Sequence, residues 1–465
     1  MVEKFIQDRI IEELPFTPNE DQSVLIEQLG RFVLQPSENK VFLLRGYAGT
    51  GKTSMVSALV RALNKLHQHC VLLAPTGRAA KVLSHYSGFP AFTIHKYIYR
   101  QERIDVESFG LAENKATNTL FIVDEASMIA TQTDNATFGT GNLLEDLIHF
   151  VYCGHHCSIL FVGDDAQLPP VGQSESLALQ SKHLAGFGLD VSEAVLSQVA
   201  RQALNSQILV NATALRESLH TDKHLIDITE GEDVQRLTGD VVVEHLENSY
   251  REVGVEETLI LTRSNKRTNL YNQGVRNRIL WREELISTGD RLMVSKNNYF
   301  WTEQYEDLPF LANGDMMEVV RLSHEREMYG FHFVDASLRA LDYDWEIDVV
   351  LWLDTLTTDS PEANYQLHKE LFTRIAEDYP EIRSRRELWK TIKSTPYYNA
   401  LQVRFAYAVT CHKAQGGQWK HVYIDPGKPA EDIATEQERK DYLRWFYTAL
   451  TRATEQVFLL NYPKK

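Results

Sequence analysis

The run GYAGTGKTS (46–54) sets Gly46, Gly49 and Gly51 around a short loop that ends in Lys52, Thr53 and Ser54. These types at this spacing fit the phosphate-binding pattern GxxxxGK(S/T). Glycines let the backbone N–H groups of the loop, those of Ala48 and Thr50 among them, wrap a polyphosphate. The Lys52 ammonium then meets the β- and γ-oxygens, and the Thr53 hydroxyl holds Mg²⁺. FIVDEAS (121–127) supplies acids. Asp124 can bind Mg²⁺ directly or through water, and Glu125 can orient and deprotonate an attacking water. A strand ending in acids at a solvated edge would explain that pair alone, but poorly beside a phosphate loop. GDDAQLPPVG (163–172) adds Gln167, which can hydrogen-bond phosphate or water, and Asp164, which can fix the local network. Its two prolines stiffen the loop. Such a loop can report phosphate state to whatever touches its far side. A rigid turn with solvated acids is the other reading, and the sequence does not choose.

Chemistry of this kind needs strands to carry it. Short apolar runs, VFLLRG (41–46), CVLLAP (70–75), LFIVDE (120–125) and SILFVGD (158–164), alternate with helical patterns. Each ends in polar residues or glycine, as buried parallel strands do at their carboxyl ends, where ligands bind. A later set comprises TLILTRSN (258–265), HVYIDP (421–426) and QVFLLNYP (456–463). Two α/β domains follow. Residues 290–350 read as a small β unit with a turn at Asn313-Gly314-Asp315, and 360–395 as helices broken at Pro380.

The 465 residues carry a net charge of −16. That excludes indiscriminate coating of nucleic acid but not a local basic track. Between Thr262 and Lys296 eight basic residues face three acidic ones, a track or a solvated helix face. No apolar run is long enough to span a bilayer, and the N-terminal MVEKFIQDRIIEELPF lacks the apolar stretch of a signal peptide. Four cysteines give no disulfide framework, so a reducing cytoplasm is expected. The cluster Cys153–Cys157 lacks a second ligand pair and reads as structural.

In order along the chain stand GYAGTGKT, APTGRAA, FTIHKY, VDEASM, GDDAQLPPVG, VARQ, AVTCHKAQGGQW and YTALTRA. In type, order and spacing they resemble superfamily 1 group B DNA helicases of the RecD/Dda-like kind. The resemblance covers nearly the whole chain. It implies two RecA-like parallel-sheet domains, a small hairpin insertion, and an SH3-like β unit with a helical extension. The corresponding domains are 1–200 (1A, with a pin-like hairpin 1B at 97–119), 201–289 with 402–465 (2A), and 290–401 (2B). It implies ATP and Mg²⁺ as cofactors. Gln22 of FTPNEDQ would read adenine, and Gly416 would lie near the nucleotide. Arg201 and Arg452 would meet the γ-phosphate, as guanidinium groups that stabilise transition-state charge. Gly417-Gln418 stands where many relatives have Ser or Thr followed by Glu.

The same resemblance implies grip on single-stranded DNA through Pro75, Thr76, Gly77, Thr93, His95, Asn265, Thr410, His412 and Lys413. Hydroxyls, amides and backbone N–H groups hold phosphate without reading sequence. For His95 and His412, a hydrogen-bonded core histidine is an equal alternative. YRQERIDVESFGLAENKATNT (99–119) reads as the hairpin, with Phe109 at or near its tip and able to stack on a base; a plain surface loop is the alternative. The expected activity is an ATP-dependent helicase that travels 5′→3′ on single-stranded DNA and parts a forked duplex. It would work as a monomer, off the membrane, beside replication or repair proteins. The rival is a DNA-stimulated ATPase subunit that remodels protein–DNA complexes with little unwinding.

Overall fold

The computed structural model describes residues 2–35, 38–103, 106–131, 138–199, 206–219, 221, 228–302, 305, 308, 310–343, 345–358, 360–427 and 435–462. The chain forms two compact units. One is Met1–Arg236 with Ala414–Lys420 and Lys428–Lys465; the other is Leu237–Lys413 with His421–Gly427.

The first unit is built on strands β1 (Lys40–Gly46), β2 (His69–Ala74), β3 (Ala91–Thr93), β6 (Thr119–Val123), β7 (Ser158–Gly163) and β8 (Asp190–Leu196). Between β3 and β6 lie β4 (Tyr99–Arg103) and β5 (Val106–Leu111), an antiparallel hairpin. The six-stranded sheet is parallel, in the order β3-β2-β6-β7-β1-β8. Apolar runs on both faces of β1, β6 and β7 explain why helices must cover them. Phe42, Leu44, Ile122, Leu160 and Val162 pack in one core with Leu25 and Leu29 of helix Glu20–Leu34 and with Met55, Leu59 and Leu63 of helix Lys52–Lys65. Each such side chain contributes roughly 1.5–3 kcal/mol on burial. The adjacency of β6, β7 and β1 brings the residues after their carboxyl ends, Asp124, Asp164 and the loop from Gly46, to one edge.

In the second unit Thr258–Thr262 pairs in parallel with Ala408–Thr410 and with His421–Asp425. The α/β class expected from the sequence therefore holds, with a parallel sheet in each unit. The β unit is a closed five-stranded barrel of Arg291–Val294, Met316–Met328, Phe331–Ala340, Glu346–Trp352 and Leu401–Phe405. Helices Pro361–Ala376 and Arg385–Lys393, capped by Ser360 and Ser384, seal it. Their Leu371, Ile375 and Ile392 pack on Phe331, Phe333 and Trp352.

Four arginines of the basic track are paired inside this unit. Arg267 pairs with Asp425, Arg276 and Arg282 share Asp290, and Arg291 lies 3.6 Å from both Glu256 and Glu318. The four cysteines are free thiols. Among the described residues no helix is long and apolar enough to cross a membrane.

Candidate functional site

The phosphate loop leaves β1 and turns directly into helix Lys52–Lys65. Gly49 and Gly51 have φ of +73° and +86°, a region L side chains rarely enter. Gly51 caps the helix with no side-chain hydrogen bond, so the first-turn N–H groups stay open to an anion. A Cβ on Gly49 would stand 2.9 Å from Leu209 of helix Gln207–Ser218, and Arg216 of that helix lies 4.2 Å above the Tyr47 ring. Neither contact was legible beforehand. Lys52 Nζ donates to the Tyr47 carbonyl at 2.9 Å and lies 3.9 Å from Asp164. Thr50 is buried and donates to the same carbonyl. Thr53 and Ser54 follow Lys52, half-buried in the first turn.

Gln22 differs from its expected role. Its Nε2 donates to the Thr50 carbonyl at 3.1 Å and its Oε1 accepts from Asn19 N at 3.0 Å. The Nε2 end braces the loop, the Oε1 end closes the capping box of helix Glu20–Leu34, and neither is turned outward to a base.

On the acidic side, Glu125 has φ +51° and its N–H donates to Asp124 Oδ1 at 2.9 Å. Burial and the neighbouring Glu125 charge push the Asp124 pKa up to about 7, against the pull of Lys52. Arg452 faces this pair: its Nη1 lies 4.0 Å from Glu125 Oε1. The guanidinium is 3% exposed, held by the carbonyls of Thr448 and Gly417 and by Thr451 Oγ1. The Asp124 carboxylate and the Thr53 hydroxyl are donor types that suit a hard cation, and a cation beside Asp124 would reverse the rise in its pKa.

Beyond β7, Asp164 is buried and accepts from Tyr447 OH at 2.6 Å and from Ala166 N at 3.0 Å. Gln167 is 5% exposed, and its Oε1 has no hydrogen-bond partner. A buried amide oxygen left unpaired costs about 1–3 kcal/mol, which suits a group that meets a water or ligand. Leu168 is clamped on both sides: its N–H donates to Thr448 Oγ1 at 2.9 Å and its carbonyl accepts from Gln415 at 2.8 Å.

Two expectations change here. Gly416 does not line the phosphate loop; a Cβ on it would stand 2.7 Å from Ala79 and 3.1 Å from Thr76. Phe109 is not at the hairpin tip. It pairs with Gln101 in the ladder, is 2% exposed, and packs on Phe138 with ring centroids 5.0 Å apart. A ring buried there cannot stack on a base. Arg201, read as a γ-phosphate contact, lies outside the described residues.

The residues read as DNA contacts fall in both units. In the first, half-buried Pro75 and Thr76 follow β2; Thr76 caps helix Gly77–Ser87 by accepting from Ala79 N. Thr93 is buried and caps helix Ile94–Ile98. His95 packs against Phe138 and Tyr99, centroids 5.0 and 5.7 Å away, and burial lowers its pKa to about 4 against the opposing charge of Asp146. In the second unit, Thr410 pairs with Thr262, three residues before Asn265 opens helix Asn265–Arg278. Half-buried His412 has its pKa lowered by burial and by Lys413, whose Nζ donates to Asn313 Oδ1 at 2.5 Å.

Residues 19–235 match an AAA domain and residues 405–460 a UvrD-like helicase C-terminal domain. The ATP-dependent DNA helicase dda of Enterobacteria phage T4 is 26% identical over 296 residues, 60% of this chain and 63% of that protein. In these matches the chain is similar to DNA helicases of the RecD/Dda-like kind. An uncharacterised protein of Acanthamoeba polyphaga mimivirus is 22% identical over 94% of this chain and 99% of its own length. The crystal structure of the Pif1 helicase from Candida albicans is 15% identical, covers 96% of each chain and has a TM-score of 0.45.

Proposed function

We propose that this chain is an ATP-dependent DNA helicase that moves 5′→3′ on single-stranded DNA and parts duplex at the hairpin Tyr99–Leu111. The coarser statement, an ATP-hydrolysing DNA helicase, rests on the helicase C-terminal match and on the likeness to a named DNA helicase. The observation that carries the chemistry is one constellation: Lys52 and the open N-terminus of its helix, Glu125 facing Arg452, and the unpaired side-chain oxygen of Gln167. ATP supplies a phosphoryl group for transfer to water. Lys52 and the N–H groups at the start of its helix would bind the phosphates, with Thr53 and Asp124 holding Mg²⁺. Glu125 would act as the base for the attacking water, Gln167 as its orienter, and Arg452 as the cation that meets developing charge.

Thr76 and Thr93 in one unit and Thr410, His412 and Lys413 in the other are the proposed grips on the strand. The direction of travel rests on the family likeness alone. Support for the hairpin as the separating element is its position between β3 and β6 and the anchoring of its base by Phe109. A forked-duplex assay tests the whole reading. Replacement of residues 101–108 by a Gly/Ser linker, leaving Phe109 in place, should preserve ATPase stimulation by single strands and abolish unwinding. Unwinding at normal rate and amplitude would remove the hairpin from the mechanism. Strand-stimulated ATPase without unwinding in the unaltered chain would favour a remodelling ATPase instead.

A further inference from the structure

We propose that Tyr447 is a positioning residue for ATP hydrolysis, tying the phosphate loop and Asp164 to the helix that leads into Arg452. The inference rests on the ATPase reading above and adds a residue to it. Tyr447 lies in helix Glu436–Leu450 and is among the largest fully buried side chains. Its hydroxyl does two things at once. It accepts the Ala48 N–H at 2.9 Å, a hydrogen bond to the phosphate loop itself, and it donates to Asp164 Oδ2 at 2.6 Å. Asp164 in turn lies 3.9 Å from Lys52 Nζ.

The neighbouring residue extends the tie. Thr448 Oγ1 accepts the Leu168 N–H, one residue after Gln167, and the Thr448 carbonyl accepts Arg452 Nε at 3.1 Å. Two consecutive side chains of one helix therefore hold the phosphate loop, Asp164 and the Gln167 loop, while the same stretch of backbone holds Arg452. Packing alone would need only the ring. The hydroxyl adds register: a displacement of Ala48 or Asp164 moves the helix that leads into the guanidinium facing Glu125. Removing the oxygen would take one hydrogen bond from a loop N–H and one from a buried carboxylate oxygen, which would keep only Lys52 at 3.9 Å.

The test is Tyr447→Phe in the full chain, with steady-state ATPase measured with and without a single-stranded oligonucleotide. From two lost hydrogen bonds, one of them to a carboxylate, kcat should fall roughly ten- to a hundredfold, with KM for ATP held within about threefold. Asp164→Asn keeps the shape, removes the charge and should show the same split. The double variant should lose no more than the worse single, because both act on one tie. Should Tyr447→Phe fail to fold, Asp164→Asn must still lose kcat and not KM. Unchanged kcat, a loss confined to KM, or losses that multiply in the double variant overturn the assignment. An unaltered chain without ATPase activity would overturn the proposed function instead.

Discussion

Serine in place of Gly417 places a Cβ in space that is already filled. The backbone there is not left-handed, so the cost comes from collision: a Cβ would stand 2.4 Å from Trp419 Cη2, 2.8 Å from Cζ3 and 3.1 Å from Arg78 Cγ. Carbon contacts settle near 3.5–4.0 Å, so the indole must retreat by about 1 Å. It has little room, being 6% exposed with the Arg78 guanidinium 5.1 Å from its ring centroid. Overpacking of this kind costs about 1–3 kcal/mol, an apparent Tm lower by roughly 2–6 °C for a unit of this size. The Gly417 carbonyl also accepts from Arg452, so the same strain reaches the guanidinium opposite Glu125 and should lower turnover. Thermal denaturation and steady-state ATPase read the two effects. Adding Trp419→Ala reopens the space, and the double variant should then lose less Tm than the two singles together. A Gly417→Ser protein with unaltered Tm and turnover refutes the reasoning. The glycine at a position where the group often carries Ser or Thr thus has a local cause, the indole two residues on.

Glu125→Gln should keep nucleotide binding in a fluorescent-nucleotide titration and lose ATP turnover, because the amide preserves shape and cannot take the proton; failure to bind nucleotide would mark Glu125 as structural. His95 makes folding pH-dependent with a definite sign. Its folded pKa of about 4 lies below the ordinary 6.5, so its contribution is complete above pH 6.5 and is lost as pH falls from there toward 4. The loss is at most about 2 kcal/mol at pH 5. His95→Phe should flatten the fall in urea midpoint between pH 7 and 5, and an unchanged slope would show that His95 is not held neutral.

Most of the first sheet could be read from the chain. Runs 41–46, 120–125 and 158–164 are apolar on both faces and stop at chemistry-bearing residues, and they appear as β1, β6 and β7 within two residues. The edge strand β8, DVSEAVL, was missed because its residues alternate and are half-exposed, which gives no apolar run. The barrel was read over 290–350, but its closing strand Leu401–Phe405 lies beyond two helices, a pairing no local pattern announces. In the site, residue types found the loop, the acids and Gln167, since phosphate chemistry restricts them. What the types could not give is which atoms are already taken. Gly416 and Phe109 stand elsewhere than their motifs implied and the Gln22 amide is engaged by the loop, because a close approach to Ala79, a ring contact with Phe138 and a hydrogen bond to Thr50 are decided by packing. Tyr447 stood in view in YTALTRA, five residues before Arg452, with only its buried hydroxyl to distinguish it.

The anchoring of Phe109 gives the hairpin the mechanics of a cantilever. Strand β5 is clamped where Phe109 packs on Phe138 and its carbonyl accepts Gly139 N at 2.8 Å, while β4 enters through Tyr99, whose hydroxyl donates to Asp146 at 2.6 Å. The load on such a beam is felt as torque at its fixed end. In the proposed separating role, resistance to a sideways push from a fork is therefore set at this buried aromatic and carboxylate footing. Phe109→Ala removes apolar contact worth about 3–5 kcal/mol at that footing. A beam softened there bends under a pull that an intact one would carry, so force-dependent unwinding should expose a defect that binding of the unloaded strand does not.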